Sequence, residues 1–364
     1  MADLTYKARI AKLIWEQKET SKQDILKRLN ISMPTVLQNV SELIHTGVLL
    51  EAGEYKSTGG RKAKAIVLNG DYKYAAGINI TQNHMSCVII NMRGEIIHQR
   101  RVTLPFCDHN KYYEELREIL DEMLKDKKLD GSRILGVGFS LPGILDSAHS
   151  ILIRSRALGV ENLDLDLIRN LFDYPVAFEN DANSALLSEI KGDIRNAFYF
   201  SLNNTVGGAF CVNGKIYMGE NSRGGEIGHT ILKKDGKMCC CGKKGCFNAY
   251  CSAQVLTEHT DGNLPLFFEE MEKGDSKLAA IWNEYLEYLA VAVTNVRMLC
   301  DCSVILGGSV GVYMDKYLHV LARKVKQYNT FDQNAAYIKI CSGKTEASAL
   351  GIAENFVKDF LEKL

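Results

Sequence analysis

The stretch GEIGHTILKKDGKMCCCGKKGC, residues 225 to 246, combines one histidine with four cysteines. Three thiolates and one imidazole form a closed tetrahedral set for Zn²⁺, and a set of four protein ligands is typical of a structural zinc rather than a catalytic one. We assign as ligands His229, Cys239, Cys241 and Cys246. In an extended C-x-C segment Cys240 points the other way and is a bystander, although adjacent cysteines can exchange this role. A cluster of thiols without metal is the alternative.

Composition limits the class of protein to which the chain can belong. With 364 residues, 46% apolar and 24% charged, it has the content of a soluble globular protein of two or three domains. We find no secretory signal pattern and no apolar run of membrane-spanning length, and we therefore expect a cytoplasmic protein. The eleven cysteines, several of them clustered from Cys239 to Cys251, favour reduced thiols and a metal over a disulfide framework.

Charge is unevenly distributed along the chain. The net formal charge is zero, yet residues 1–65 carry eleven Lys and Arg against seven Asp and Glu, so the remainder is acidic. A basic head on an acidic body is typical of a protein whose head binds nucleic acid. A chance excess of basic residues on a solvated surface would give the same count.

Residues 1–70 have the pattern of a winged helix-turn-helix domain. Ser21, with Asp24 three residues later, predicts the start of a second helix, and Ser32 predicts the start of a third. A hairpin with a turn at Gly53 follows and would form the wing. The first helix is predicted from apolar residues at helical spacing: Tyr6, Ile10, Leu13 and Ile14.

Two groups of side chains in this domain are candidates for DNA contacts. The third helix of such a domain enters the major groove, where its polar side would present Thr35, Gln38 and Asn39 to base edges. The wing would bring Arg61, Lys62 and Lys64 to phosphates or the minor groove. A three-helix unit that binds another protein is the alternative.

From about Asp71 the pattern changes to strands alternating with helices. The sequence predicts a helix over Tyr112–Asp126 and strands over Ala75–Ile80, Cys87–Asn91, Ile96–Leu104 and Ile134–Phe139. This alternation indicates an α/β architecture.

Several motifs together resemble the ROK family, which is named for repressors, open reading frames and sugar kinases. Besides GEIGH and the following CxCGxxGC, the matching pieces are SLPG at residues 140–143, ENDAN at 179–183 and ILGG at 305–308. The resemblance covers nearly the whole chain. The winged helix-turn-helix head of this chain resembles the head of the xylose-repressor and N-acetylglucosamine-repressor branch. The plain kinases of the family lack such a head.

The resemblance implies the actin-like, ribonuclease-H-like kinase fold, in which two α/β lobes hold sugar and ATP in the cleft between them. We expect the head at 1–70 and the first lobe at 71–190, completed by a C-terminal helix at 345–364. The second lobe, with the zinc site, is expected at 191–344.

The same resemblance implies a sugar site. Asn180, Asp181, Glu226 and His229 would bond sugar hydroxyls beside Gly143, with one ring nitrogen of His229 on zinc and the other on the sugar. In a kinase Asp181 would be the general base. Without the accompanying motifs, Asn180 and Asp181 would be better explained as a helix cap. Asn248 stands where the kinases carry a glutamate, so the identity of the sugar is not carried over.

The phosphate side departs from the kinase pattern. The family's kinases have Asp-x-Gly-Gly-Thr where this chain has NITQN at residues 79–83, and Gly-Thr-Gly-x-Gly where it has NNTVGG at 203–208. Glycine amides and a metal normally surround the phosphates, so these changes predict that ATP is not a functional ligand and that Asp181 is a vestigial base. Only the pair Gly307 and Gly308 persists, and packing alone can explain it.

The sequence therefore predicts a sugar-responsive transcriptional repressor, not an enzyme. It would bind double-stranded operator DNA as a homodimer, with a tetramer as the alternative assembly. The resemblance favours a sugar that releases the repressor from DNA. An active ATP-dependent sugar kinase with an accessory DNA-binding domain is the main alternative. A zinc-stabilised protein whose head contacts another protein is a third.

Overall fold

The computed structural model describes residues 4–55, 63–146, 149–192, 194–329 and 331–364. It has the mixed α/β architecture that the sequence predicts, with a small helical head followed by two lobes, each built on a five-stranded sheet. In the described part of the chain, no helix has the length and apolar character needed to cross a membrane.

The head is formed by three helices and a small sheet in the strand order β1-β3-β2. Ser21 and Ser32 cap the second and third helices as predicted, accepting the backbone N–H of Asp24 (3.1 Å) and Thr35 (3.4 Å). The Asp24 carboxylate accepts a hydrogen bond from the Ser21 hydroxyl. The elements are α1 (Tyr6–Gln17), β1 (Glu19–Thr20), α2 (Lys22–Leu29), α3 (Met33–His45), β2 (Leu49–Tyr55) and β3 (Ala63–Leu68).

The first lobe is built on a mixed sheet in the order β11-β7-β4-β5-β6, in which β4, β7 and β11 are parallel. Its predicted strands and helix are present, with ends shifted by one to three residues. The elements are β4 (Tyr74–Ile80), β5 (His84–Asn91), β6 (Ile96–Thr103), α4 (Asn110–Asp126), β7 (Ile134–Leu141), β8 (Ile144–Asp146), β9 (Ile151–Ser155), β10 (Val160–Asp164), α5 (Asp166–Arg169), β11 (Val176–Asn180) and α6 (Asp181–Glu189).

The second lobe repeats this arrangement with a sheet in the order β14-β13-β12-β15-β16, and its long helix α10 packs against α12. The elements are β12 (Ala197–Leu202), β13 (Val206–Val212), β14 (Lys215–Ile216), α7 (Asn248–Cys251), α8 (Ala253–Thr257), α9 (Leu264–Glu272), α10 (Ser276–Cys300), β15 (Ser303–Gly307), α11 (Gly308–Gly311), α12 (Met314–Tyr328) and β16 (Ile338–Ile340).

The last helix, α13 (Ala347–Glu362), returns to the first lobe and packs on its sheet and on α6. The contact with α6 is very close: a Cβ on Gly351 would lie 1.7 Å from the backbone oxygen of Ser184. Only glycine allows this approach, because real Cβ contacts do not come near that distance.

The head does not have a core of its own. Buried apolar side chains of the head, of one face of the first-lobe sheet and of α13 form one cluster, which includes Ile14, Trp15, Val36, Ala75, Val88, Ile90, Ala353 and Val357. The opposite face of that sheet packs on α4, and the second lobe has a separate core around α10. The head and the first lobe are therefore joined by packing as well as by the chain.

Candidate functional site

The four predicted zinc ligands lie together. One donor atom from each of His229, Cys239, Cys241 and Cys246 falls within 4.8 Å of all the others. The Sγ atoms of Cys241 and Cys246 are 3.6 Å apart, close to the separation of about 3.8 Å expected for two thiolates on one tetrahedral zinc with Zn–S bonds of about 2.3 Å. Cys240 is exposed and lies outside this group.

The donor set fits a metal in its chemistry as well as its spacing. Nδ1 of His229 is 3.9 Å from Sγ of Cys239, so this ring nitrogen is on the side of the thiols. Burial lowers the pKa of His229, which keeps the imidazole neutral at pH 7, the form that a metal requires. These four residues can therefore hold a metal ion, and the thiolate-rich set suits zinc.

Short backbone contacts fold the loop around the cluster. Cys239 N–H donates to the oxygen of Lys243 (2.9 Å), and Leu232 N–H donates to the oxygen of Gly245 (2.8 Å). Gly245 has φ +82°, and a Cβ there would lie 1.8 Å from the oxygen of Lys233. Glycine is required at this point for both reasons.

Asn180 lies where β11 passes into α6, and it caps the helix. Its Oδ1 accepts the N–H groups of Ala182 (2.9 Å) and Asn183 (3.1 Å), and its Nδ2 donates to the oxygen of Gly143 (2.9 Å). The helix-cap interpretation is thus confirmed for Asn180. The same amide fixes the position of Gly143 at the edge of the cleft, and it retains one N–H for a ligand.

Asp181 is the first residue of α6 and lines the same cleft. Burial raises the pKa of its carboxyl group to about 6, although the N–H of Ala182 donates to Oδ1 (2.9 Å), and the nearby Glu226 carboxylate adds to the rise. At pH 7 the group is mostly ionised and can accept a hydrogen bond from a hydroxyl.

Glu226, His229 and Asn248 line the cleft from the second lobe. The amide of Asn248 is engaged within the protein: Oδ1 accepts the N–H of Val206 (2.7 Å), and Nδ2 lies 3.8 Å from Sγ of Cys239. Asn248 therefore ties the hairpin between β12 and β13 to the loop that carries Cys239.

The cleft between the lobes has a volume of about 780 Å³, within the usual range for small-molecule sites. All six sugar-site residues predicted from the sequence line it. It is also lined by four basic side chains that motif analysis did not single out: Arg154, Arg156, Arg223 and Lys243. Two of them have a signal in the sequence, because Arg223 lies three residues before Glu226 and Lys243 lies within the CxCGxxGC motif.

In the two hairpins that depart from the kinase pattern, polar side chains form hydrogen bonds within the protein. Oδ1 of Asn203 accepts the N–H of Ser309 (2.8 Å), at the start of α11, and its Nδ2 donates to the Ser201 hydroxyl (3.0 Å). In the other hairpin, the Thr81 hydroxyl donates to the oxygen of His84 (2.9 Å). A Cβ on Gly307 would lie 2.0 Å from the Tyr199 hydroxyl oxygen, so close packing accounts for the surviving glycine pair.

The predicted DNA-contact residues of α3 differ in accessibility. Gln38 is exposed and donates to Glu42 (3.2 Å). Thr35 and Asn39 are half-buried, and Nδ2 of Asn39 donates to the backbone oxygen of Thr35 (2.8 Å). Leu37, for which the sequence made no prediction, is another exposed side chain of α3 (47%).

On the wing, the ammonium of Lys64 forms an ion pair with Glu51 (2.7 Å). The other two predicted wing contacts, Arg61 and Lys62, lie outside the described residues.

Comparison with known proteins identifies the family of this chain and several relatives. The family model described as "ROK family" matches residues 75–358. The xylose repressor of Caldicellulosiruptor bescii is 24% identical over 97% of this chain and 95% of its own length. The xylose repressor of Bacillus subtilis is 24% identical over 68% of this chain, and the match spans 65% of that repressor, less than two thirds.

Solved structures share the fold. A ROK family transcriptional regulator, described as a homologue of the Escherichia coli MLC protein, superposes with a TM-score of 0.75 at 19% identity, covering 98% of this chain and 97% of the other. A ROK hexokinase from Thermus thermophilus gives a TM-score of 0.65 at 22% identity, covering 80% of this chain and 99% of its own. The kinase thus matches a smaller part of this chain than the regulator does.

Proposed function

The chain belongs to the ROK family, and from that premise we propose that it is a sugar-responsive transcriptional repressor. It binds operator DNA through the head and an effector sugar in the cleft between the lobes. The xylose repressor that aligns with 97% of the chain supports this proposal, because an alignment of that length includes the head.

The observation that carries the proposal is the position of α13, which contacts both functional regions. At its start, the Ser348 hydroxyl donates to the backbone oxygen of Asp181 in the sugar site (2.9 Å). Near its end, Glu362 forms an ion pair with Lys12 of the head (2.7 Å). A sugar that favours one position of α6 can therefore bias the position of the head, which is the differential binding that linkage requires.

The sugar site combines direct and supporting residues. Asp181, Glu226 and His229 would bond sugar hydroxyls, while Asn180, Gly143 and Asn248 shape and support the site. Zn²⁺ held by His229, Cys239, Cys241 and Cys246 would act structurally, by fixing the loop that carries His229.

The nucleotide side supports a sensor rather than an enzyme. In the family's kinases the glycine-rich hairpins leave backbone N–H groups free for phosphate. Here the side-chain oxygen of Asn203 accepts the N–H of Ser309. Asn79 supplies an amide where those kinases carry a carboxylate for the metal ion. Both differences weaken the binding of ATP and magnesium.

DNA contact is assigned to α3 and the wing. Gln38 would contact base edges with Thr35 and Asn39, and the basic wing residues Arg61, Lys62 and Lys64 would contact the DNA backbone. A homodimer would place two heads on two half-sites.

The test is a binding measurement with full-length, zinc-loaded protein and a duplex that the protein selects from a random pool. We expect salt-dependent binding, a loss of about tenfold with Gln38→Ala, and weaker DNA binding in the presence of one sugar from a broad panel. Lys277→Ala, an exposed change on the second lobe, is the control. Absence of any salt-sensitive DNA binding would overturn the proposal and favour a head that contacts another protein.

One observation favours an active sugar kinase as the second candidate. Asp181 has its pKa raised toward the working range of a general base, as a phosphoryl-transfer enzyme would need. Incubation with ATP and the same sugars separates the two: turnover that Asp181→Ala abolishes would establish the kinase.

A further inference from the structure

The charges of the cleft are not balanced by its own carboxylates. Of the four basic side chains that line it, Arg154 is neutralised by an ion pair with Glu161 (2.6 Å). Arg156, Arg223 and Lys243 have no carboxylate partner among the described residues. The ammonium group of Lys243 donates a long hydrogen bond to the backbone oxygen of His229 (3.5 Å).

The unpaired cations come from both walls of the cleft. Arg156 follows β9 in the first lobe and is exposed, with its guanidinium within hydrogen-bonding reach of Cys241. Arg223 belongs to the loop before Glu226 in the second lobe and is also exposed. A molecule in the cleft therefore lies between positive charges on its two sides.

The remaining carboxylates of the cleft are Asp181 and Glu226. They suit the hydroxyl groups of a sugar, whereas a neutral sugar offers no partner of opposite charge to a guanidinium. The planar guanidinium fork binds phosphate and carboxylate groups through paired hydrogen bonds.

We propose that the effector is a sugar that carries an anionic group, a phosphate ester or a carboxylate, and that Arg223, with Arg156 on the facing wall, binds this group. The inference rests on the proposed function, since it names the class of ligand for the same cleft. An anion held from both walls would also draw the lobes together. This closure would shift α6 and, through it, α13.

Arg156 has a second possible partner, which decides the choice of test residue. A zinc ion with three thiolates and an imidazole carries a net negative charge, and Arg156 lies beside one of these thiols. Among the described residues, Arg223 forms no hydrogen bond with the thiols, so a change there should leave the zinc site intact.

The experiment measures the affinity of full-length, zinc-loaded protein for matched ligands by calorimetry. The ligands are glucose, glucose 6-phosphate and glucuronate, then N-acetylglucosamine and its 6-phosphate, and inorganic phosphate alone. We expect the charged member of at least one set to bind at least tenfold more tightly than its neutral parent. Arg223→Gln should remove that preference and leave binding of the neutral parent and of DNA unchanged. Lys234→Gln, which removes an exposed charge of the zinc loop outside the cleft, is the control.

The outcomes separate the inference from the proposed function. If a neutral sugar binds as tightly as its charged counterparts and also weakens DNA binding, the inference is overturned and the repressor stands. Inorganic phosphate that binds as tightly as a sugar phosphate would reduce the cleft to a simple anion site and also overturn it. If no ligand of either class changes DNA affinity, the sugar-responsive function itself fails.

Discussion

The predicted sugar site and the hairpin that departs from the kinase pattern at residues 203–208 use similar polar side chains in opposite ways. In the predicted sugar site, Asp181 and Glu226 line the open cleft, and burial raises the pKa of Asp181 to about 6. In the hairpin, the amide of Asn203 is engaged in hydrogen bonds with Ser309 and Ser201. A polar residue can therefore contact a ligand directly only through hydrogen-bonding groups that are not already used within the fold.

The largest effect should come from removing a zinc ligand, because the loop at the sugar side depends on it. Cys246→Ser is expected to reduce bound zinc from about one equivalent per chain to almost none and to abolish sugar binding, since the loop with His229 loses its anchor. Zinc content by mass spectrometry and a sugar thermal-shift assay measure this. Cys240→Ser is the matched control and should keep both properties. Equal loss of zinc from the two variants would mean that the ligand set is wrong.

A second prediction concerns the contribution of Asp181 to affinity. Asp181→Asn removes a charged acceptor, so sugar affinity should fall by about 10- to 100-fold, which corresponds to roughly 1.5 to 3 kcal/mol. DNA affinity without sugar should not change. Calorimetry on both proteins provides the comparison, and an unchanged sugar affinity would remove Asp181 from the site.

The raised pKa of Asp181 also predicts how stability depends on pH. The pKa is about 6 in the folded protein and 3.8 in the unfolded chain, so the stability gained by protonation is complete below about pH 3.8 and is lost as the pH rises through about 6. At pH 7, Asp181→Asn should therefore be the more stable protein by at most about 3 kcal/mol. Urea denaturation between pH 7 and pH 4 should show this advantage shrink, and a constant difference would contradict it.

The smallest effect is expected on the phosphate side. Asn203→Gly restores a glycine but loses the hydrogen bond to Ser309, which should cost about 1 kcal/mol and lower the melting temperature by roughly 2 to 4 °C. ATP should still give no thermal shift, because Asn79 is unchanged. If ATP stabilises this variant, the side chain of Asn203 alone prevents ATP binding, and the proposed loss of the nucleotide site depends on a single residue.

The sequence predicts local features of this molecule well. The caps at Ser21 and Ser32, the strands and helix predicted between residues 75 and 139, and the group of four candidate metal ligands all follow from short-range patterns of residue type and spacing. The ligand set was accessible because Cys239, Cys241 and Cys246 lie within one loop. The family resemblance supplied the fold of the two lobes.

The features that the sequence does not predict depend on contacts between distant segments. Asn203 and Ser309 are 106 residues apart, and no local pattern links the amide of one to the N–H of the other. Arg156 and Arg223 belong to different lobes and share the cleft only after folding. The dual role of Asn180, as helix cap and as support for Gly143, likewise needed the position of a loop 37 residues away.

The core that the head shares with the first lobe and α13 affects how the protein unfolds. Buried side chains in one continuous cluster lose their packing together, so the head and first lobe should form one cooperative unfolding unit, with the second lobe as another. A head excised as a fragment would expose apolar surface that α13 normally covers. Regulation by such a molecule would reorient a packed body rather than release a domain on a flexible tether.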